Sequence, residues 1–252
     1  MARHIAAAMT CLLMMSTQAS AGWYHVENFE GFVGTDAVHL SLQTYDGFGS
    51  GITIEGSYFH DAKRSPVALY GKSHAGKLEL CEIRDDREFH RIIVMGSKTP
   101  IDTSRCPLSL TLDNRSATGT WSRAGKTDVV SLKKVATLDD TGDAQINGTV
   151  EIPFWAQSPT RMFTGVYVST DAGICMQALK ITEKASYIVD QEIRFDVDDC
   201  NAGMLMTPIY MNVERQADSD GDMLFVNIRD GRAGHSLDYR LNPATLRYDP
   251  AQ

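Results

Sequence analysis

VHLSLQTYDGFGSGITIEGSYF, residues 38–59, is the stretch whose reading decides the fold. Val38, Leu40 and Leu42 alternate with His39 and Ser41, and Ile52 and Ile54 alternate with Thr53 and Glu55 before Gly56-Ser57-Tyr58-Phe59. A period of two buries one face of a strand and wets the other, as in an antiparallel sheet. The same period recurs outward along the chain, at Leu78-Glu79-Leu80-Cys81, at Leu108, Leu110 and Leu112, and around Val166 and Val168. Runs 210–213 and 223–228 are rich in β-branched or aromatic residues. Turn residues separate these runs at 73–76, 113–114, 124–126 and 218–222. Helical periodicity is nearly absent, with at most a short helical turn over 178–185. The expected class is therefore all-β: two tandem antiparallel units, sandwich or barrel-like.

The N-terminus carries a different signal. Arg3 and His4 precede an apolar stretch, 5–15, and residues 16–21 end in Ala-Ser-Ala. This order of basic, apolar and small residues predicts a secretory signal over 1–21, cleaved after Ala21. A bilayer span needs about 20 apolar residues, so the stretch is too short to cross, and no later segment reads as a membrane span. The expected location is periplasmic or secreted. The polar segment 136–148 predicts the joint between domains 22–137 and 138–252.

Cleavage would remove Cys11 and leave Cys81, Cys106, Cys175 and Cys200, an even set entering an oxidising compartment. Four cysteines allow three pairings. Cys81 and Cys106 lie 25 residues apart, and so do Cys175 and Cys200, which favours those two local bridges. The equal intervals also suggest an internal repeat at an offset of 94, with Gly71 on Gly165, Leu80 on Ile174, and Val130 and Leu132 on Leu224 and Val226.

Residues 56–83 (GSYFHDAKRSPVALYGKSHAGKLELCEI), with Gly119-Thr120-Trp121 and residues 129–135 (VVSLKKV), resemble exported bacterial β-rich proteins of uncharacterised function. The matching pieces are Ser57-Tyr58-Phe59, Leu69-Tyr70-Gly71, Leu78-Glu79-Leu80-Cys81-Glu82 and Gly119-Thr120-Trp121, covering about a third of the chain. The second half keeps only Gly165 and the cysteines of this pattern. The resemblance implies an antiparallel β unit and export, and assigns no catalytic residue.

Functional chemistry is sparse. Lys and Arg total 24 against 32 Asp and Glu, a formal net charge of −8, and no basic stripe suits nucleic acid. No nucleophile elbow, metalloprotease helix or phosphate loop is present, so no catalytic residue is assigned. His39 falls on the polar phase of its strand and is expected to face solvent. Asp218, Asp220 and Asp222 alternate as oxygen ligands do in a calcium loop, but the glycine and glutamate of an EF-hand are missing from their places. A tight hairpin turn is the preferred reading, with calcium the one conceivable cofactor. Trp23, Tyr24, Phe154 and Trp155 are the aromatic candidates for a partner surface, since large aromatics anchor interfaces. Trp121 reads as core. The function expected is a non-enzymatic periplasmic binding protein, an inhibitor or immunity-type partner of an envelope enzyme, the partner itself being a cationic protein. A small-ligand or calcium carrier is the alternative, and an envelope hydrolase comes third.

Overall fold

Eight strands follow one another up and down in the first half: β1 (His25–Val33), β2 (Asp36–Thr44), β3 (Ile54–His60), β4 (Val67–His74), β5 (Lys77–Glu82), β6 (Leu108–Leu112), β7 (Ser116–Arg123) and β8 (Lys126–Asp139). Each pairs antiparallel with the next, and β8 returns to pair with β1, so the sheet closes into a barrel. The computed structural model describes residues 25–44, 52–95, 101–139, 146, 148–170, 173–196, 200–201, 209–219, 221–230 and 233–251, without the side chains of 139, 173, 200–201, 228–230 and 233. β8 runs past 137, where the sequence places the joint.

The alternating residues of the quoted stretch point inward. Leu40, Leu42, Ile54 and Tyr58 pack with Phe29, Leu69, Leu78, Leu80, Leu110, Trp121 and Leu132 to fill the barrel, as side chains do in barrels of this size. Trp121, expected in the core, is there, edge-on to Tyr58 with ring centroids 4.8 Å apart. Closure removes the two free edges that an open sheet would expose. Turn chemistry sets the hairpins: Ala75 and Gly76 both take positive φ between β4 and β5, as do Ala124 and Gly125 between β7 and β8. The Asp113 carboxylate accepts the N–H groups of Arg115 and Ser116, each at 2.7 Å, between β6 and β7.

The long connection from β5 to β6 carries a one-turn helix, α1 (Asp86–Phe89), capped by Asp85, and a π-helical turn over His90–Val94. Its apolar side chains Ile92 and Ile101 pack on Ile52 and Tyr70 outside the barrel. The Cys81–Cys106 disulfide staples its base, with Cα atoms 4.4 Å apart.

The second half forms two sheets. One has the order β12 (Val189–Arg194), β11 (Gly173–Glu183), β10 (Arg161–Thr170), β9 (Val150–Gln157). The other orders β13 (Cys200–Asn201), β15 (Gly221–Asp230), β16 (Ala233–Asn242) and β17 (Arg247–Pro250), with β14 (Val213–Asp218) also on β15. Ile152, Phe154, Phe163, Tyr167, Leu179, Ile181, Leu224, Val226 and Tyr248 fill the space between them. Gln191 bridges the sheets: its Nε2 donates to the Tyr248 carbonyl at 2.7 Å and its Oε1 accepts the Tyr248 N–H at 2.8 Å. Barrel and sandwich keep separate interiors but are packed together, because Val26, Ala136 and Leu138 from β1 and β8 join the sandwich's cluster.

Three sequence readings change, the first being the run 210–213, where Ile209–Met211 forms a 3-10 turn and the strand begins only at Val213. Residues 178–183 are not helical but lie in β11, paired on both sides. Ala178 and Thr182 are buried as well as Leu179 and Ile181, so burial of both faces hides the period of two. The offset of 94 does not give two copies of one architecture either. Gly71 sits against the backbone of β5, whereas Gly165 sits among the side chains of Phe154, Tyr167 and Met176. Cys175 is buried on β11, and the pairing Cys175–Cys200 lies outside the described residues because the Cys200 side chain does.

One ion pair ties β1 to β8. Glu27, 13% exposed, meets the Lys134 ammonium and lies 3.8 Å from His25 Nε2. The hydrogen bond from His25 and then the Lys134 contact hold its carboxyl below the usual range, against the opposing effect of burial. A lowered folded pKa stabilises fully above the unfolded carboxylate pKa, about 4.3, and is lost as pH falls through the folded value. Replacing Glu27 with Ala is expected to cost about 2 kcal/mol at pH 7. The difference from wild type in urea unfolding should shrink as pH falls below 4 and the wild-type carboxylate takes up its proton. A difference independent of pH would sink the assignment.

Candidate partner-binding groove

The segment Ile152-Pro153-Phe154-Trp155-Ala156-Gln157 reaches the joint between barrel and sandwich on β9. β9 is the edge of its sheet, where a proline costs no ladder hydrogen bond. Pleating sends Ile152 and Phe154 into the core and Trp155 the other way. The indole stacks on Tyr210, with centroids 5.3 Å apart, and takes the edge of Phe89 from α1 at 5.3 Å. Its Nε1–H donates to the Gly56 carbonyl of β3 at 3.3 Å, which fixes the ring against the barrel. Gln157 Nε2 donates to the Pro66 carbonyl at 3.3 Å along the same seam.

Between these rings and the barrel lies a groove of about 370 Å³, walled by Pro66, Val67 and Ala68 on one side and by Phe89, Trp155 and Gln157 on the other. Asp85 and Asp86 stand exposed on its wall beside Arg84. Arg215, the second cation of the wall, is held by Asp222 at 2.8 Å across the β14–β15 hairpin. Burial together with Arg215 pushes the ammonium of nearby Lys184 below its usual range. With Arg215 neutralised, the groove combines a half-buried aromatic wedge with two carboxylates and one cation. Tyr210, behind the indole, is fully buried, and burial pushes its phenol well above the ordinary range, so it stays neutral.

The candidates named from sequence fall in different places. Trp155 is in the groove. Phe154 is not a surface residue: it is 0% exposed, because the strand pleat turns it into the sandwich core. Trp23 and Tyr24 lie outside the described residues. Asp218 and Asp222 flank the expected hairpin, where Asp218 pairs in register with Gly221. Asp222 is committed to Arg215, Asp218 accepts from Gln216 Nε2 at 3.2 Å, and Asp220 lies outside the described residues. Among the described residues no group of three His, Cys, Asp or Glu side chains could hold a metal ion. Sequence reading missed Phe89, which sits on a connection without periodicity, and Tyr210, whose partner Trp155 is 55 residues away. It also missed Arg215, although an Arg and an Asp flanking the 218–222 turn are placed to meet across a hairpin.

No helix among the described residues is long and apolar enough to cross a membrane. No family model, curated protein or solved structure matches the chain. The groove must therefore be read from its own chemistry.

Proposed function

We propose that this is an exported, non-enzymatic binding protein that holds a cationic envelope protein, as an inhibitor or immunity-type partner of a wall-acting enzyme. The observation that carries the reading is the Phe89–Trp155 wedge in a groove at the joint, with Asp85 and Asp86 beside it. Aromatic faces attract a lysine or arginine side chain, and flanking carboxylates complete its charge. The net charge of −8 supports electrostatic steering toward a basic partner. Export is supported by the basic, apolar and small-residue order of the first 21 residues and by the Cys81–Cys106 bond, which suits an oxidising compartment.

The test uses the chain from Gly22 onward against a panel of cationic wall-lytic enzymes, reading affinity by calorimetry and activity by turbidity. Tight, salt-sensitive binding with loss of lytic activity is expected for at least one enzyme. Trp155→Ala should weaken it about 30-fold, the scale of an aromatic hot spot. Asp85→Asn with Asp86→Asn should slow association and flatten the salt dependence. Absence of saturable binding across the panel, or full affinity in Trp155→Ala, would overturn the reading.

A further inference from the structure

Arg84 lines two clefts, the aromatic groove and a second one of about 320 Å³ beside the ends of β5 and β7. The second is lined by Arg84, Arg105 and Arg123 together with Glu82, Glu88 and Ser122. Three separate stretches of chain carry the arginines, and the fold pins each of them. Arg105 precedes Cys106 and Arg84 follows Cys81 by three residues, so the disulfide, with Cα atoms 4.4 Å apart, draws both to one place. The Arg84 N–H donates to Glu88 Oε2 at 2.9 Å. Arg123 ends β7, whose Ser122 N–H donates at 2.7 Å to the carbonyl of Pro107, two residues past Arg105.

Charge is layered in this cleft. The two carboxylates are recessed, the Glu82 side chain to 13% exposure and that of Glu88 to 22%, and the chain itself already occupies them. Glu82 Oε1 accepts the Tyr58 hydroxyl at 2.8 Å, and Oε2 lies 3.5 Å from Arg123. Glu88 takes the Arg84 N–H, the Tyr70 hydroxyl and, at 4.0 Å, Arg91. Outside them stand the arginines. The Arg123 side chain is 71% exposed, and Arg84 and Arg105 are exposed with no ion pair among the described residues. Arg105 also acts on Asp102, but that carboxylate accepts the Ser104 N–H at 3.0 Å and does not line the cleft. The lining thus carries one cation in excess, in a chain whose net charge is −8. A group entering from solvent meets guanidinium first.

Guanidinium is more weakly hydrated than an ammonium and presents its N–H donors in a planar fork that matches the paired oxygens of an oxyanion. One fork satisfies the two oxygens of a carboxylate. Several forks on separate stretches call for more oxygens and more charge than one carboxylate has, which a tetrahedral phosphate supplies. The volume is at the low end for ligand sites, about 300–1,000 Å³, so the group is small. We infer that the cleft is a binding site for a phosphate group, held by Arg105 and Arg123 with Arg84 as the third donor. The inference does not rest on the partner groove, whose lining omits Arg105 and Arg123. A soluble phosphate and a lipid headgroup share this chemistry, and the test separates them.

The isotope-labelled chain from Gly22 onward is titrated at constant ionic strength with inorganic phosphate and with acetate, reading backbone amide and arginine side-chain N–H shifts. Saturable shifts at Arg105, Ser122 and Arg123 are expected for phosphate, with binding of acetate at least about tenfold weaker. Arg105→Gln should weaken phosphate binding at least about tenfold, the scale of a charge-assisted hydrogen bond, with the melting temperature unchanged. Arg123→Gln should do the same and carries the test if the first variant misfolds. Arg87→Gln, at an exposed position outside the cleft lining, should leave the affinity as it is. Flotation with phosphatidylcholine vesicles, with and without phosphatidate, separates the sources. Arg105-dependent capture by phosphatidate supports the site with a lipid phosphate as its ligand. Saturable binding of free phosphate without capture supports it with a soluble one. Equal affinity for acetate, unchanged affinity in both cleft variants, an equal loss in Arg87→Gln, or no binding of phosphate in either form would overturn the site.

Discussion

Gly71→Ala is expected to lower the free energy of unfolding by at least about 3 kcal/mol, the upper end of overpacking costs. The reason is space, not backbone freedom. A Cβ on Gly71 of β4 would lie 1.9 Å from the Glu79 carbonyl oxygen and 2.9 Å from its carbon, both main-chain atoms of β5. No rotamer change relieves a backbone clash, so β4 and β5 must separate at the Gly71–Leu80 pair. In a closed barrel that separation spreads to neighbouring pairs, because the circle has no edge to absorb it. Gly119 on β7 is held against β6 in the same way, 2.0 Å from the Ser109 oxygen, and should respond alike. Gly125 is the control: its added Cβ would meet nothing within 4 Å, and its φ of +81° limits the cost of alanine to about 1–2 kcal/mol. Urea midpoints at equal slope would decide the matter. A Gly71→Ala protein no less stable than Gly125→Ala would contradict close strand approach as the reason for this glycine.

Removing the Cys81–Cys106 bond should cost about 3 to 4 kcal/mol, the loop-entropy value for a bridge closing 25 residues. In a chain of this size that corresponds to a fall of about 6–16 °C in melting temperature. The double variant Cys81→Ser with Cys106→Ser tests this bond alone, which a reductant would not. Without it, the connection from β5 to β6 keeps the Lys72 Nζ bond to the Ile101 carbonyl at 3.0 Å and the Thr103 hydroxyl bond to Glu79 at 2.5 Å. It also keeps the small apolar cluster of Ile92 and Ile101. The barrel should therefore persist while residues 83–107 become open to protease. Phe89 rides on that connection, so partner affinity should fall together with stability. Unchanged affinity in the serine variant would detach Phe89 from the binding surface.

Parts of this were legible before any coordinates. The period of two at Val38, Leu40 and Leu42 named the inward face of β2, and equal spacing singled out the Cys81–Cys106 bridge. Where both faces are covered the same reading failed. Residues 178–182 lost their alternation because both faces of β11 are covered, Ala178 and Thr182 being buried along with Leu179 and Ile181. Phe154 was misread for a related reason. Two adjacent aromatics look equivalent in a string of letters, and only the pleat, anchored by β10, separates the buried one from its neighbour.

Taken alone, the amino-acid order determined several of the strands, the turns between them and one covalent staple, all of which arise from residues close together in the chain. Only the tertiary structure decided that β8 would come back to β1, turning eight strands into a barrel. It alone brought Trp155 against Phe89 and Arg123 to the cleft of Arg84 and Arg105. Those pairings join segments that are far apart in sequence. They depend on the summed burial of many side chains, which no short stretch encodes.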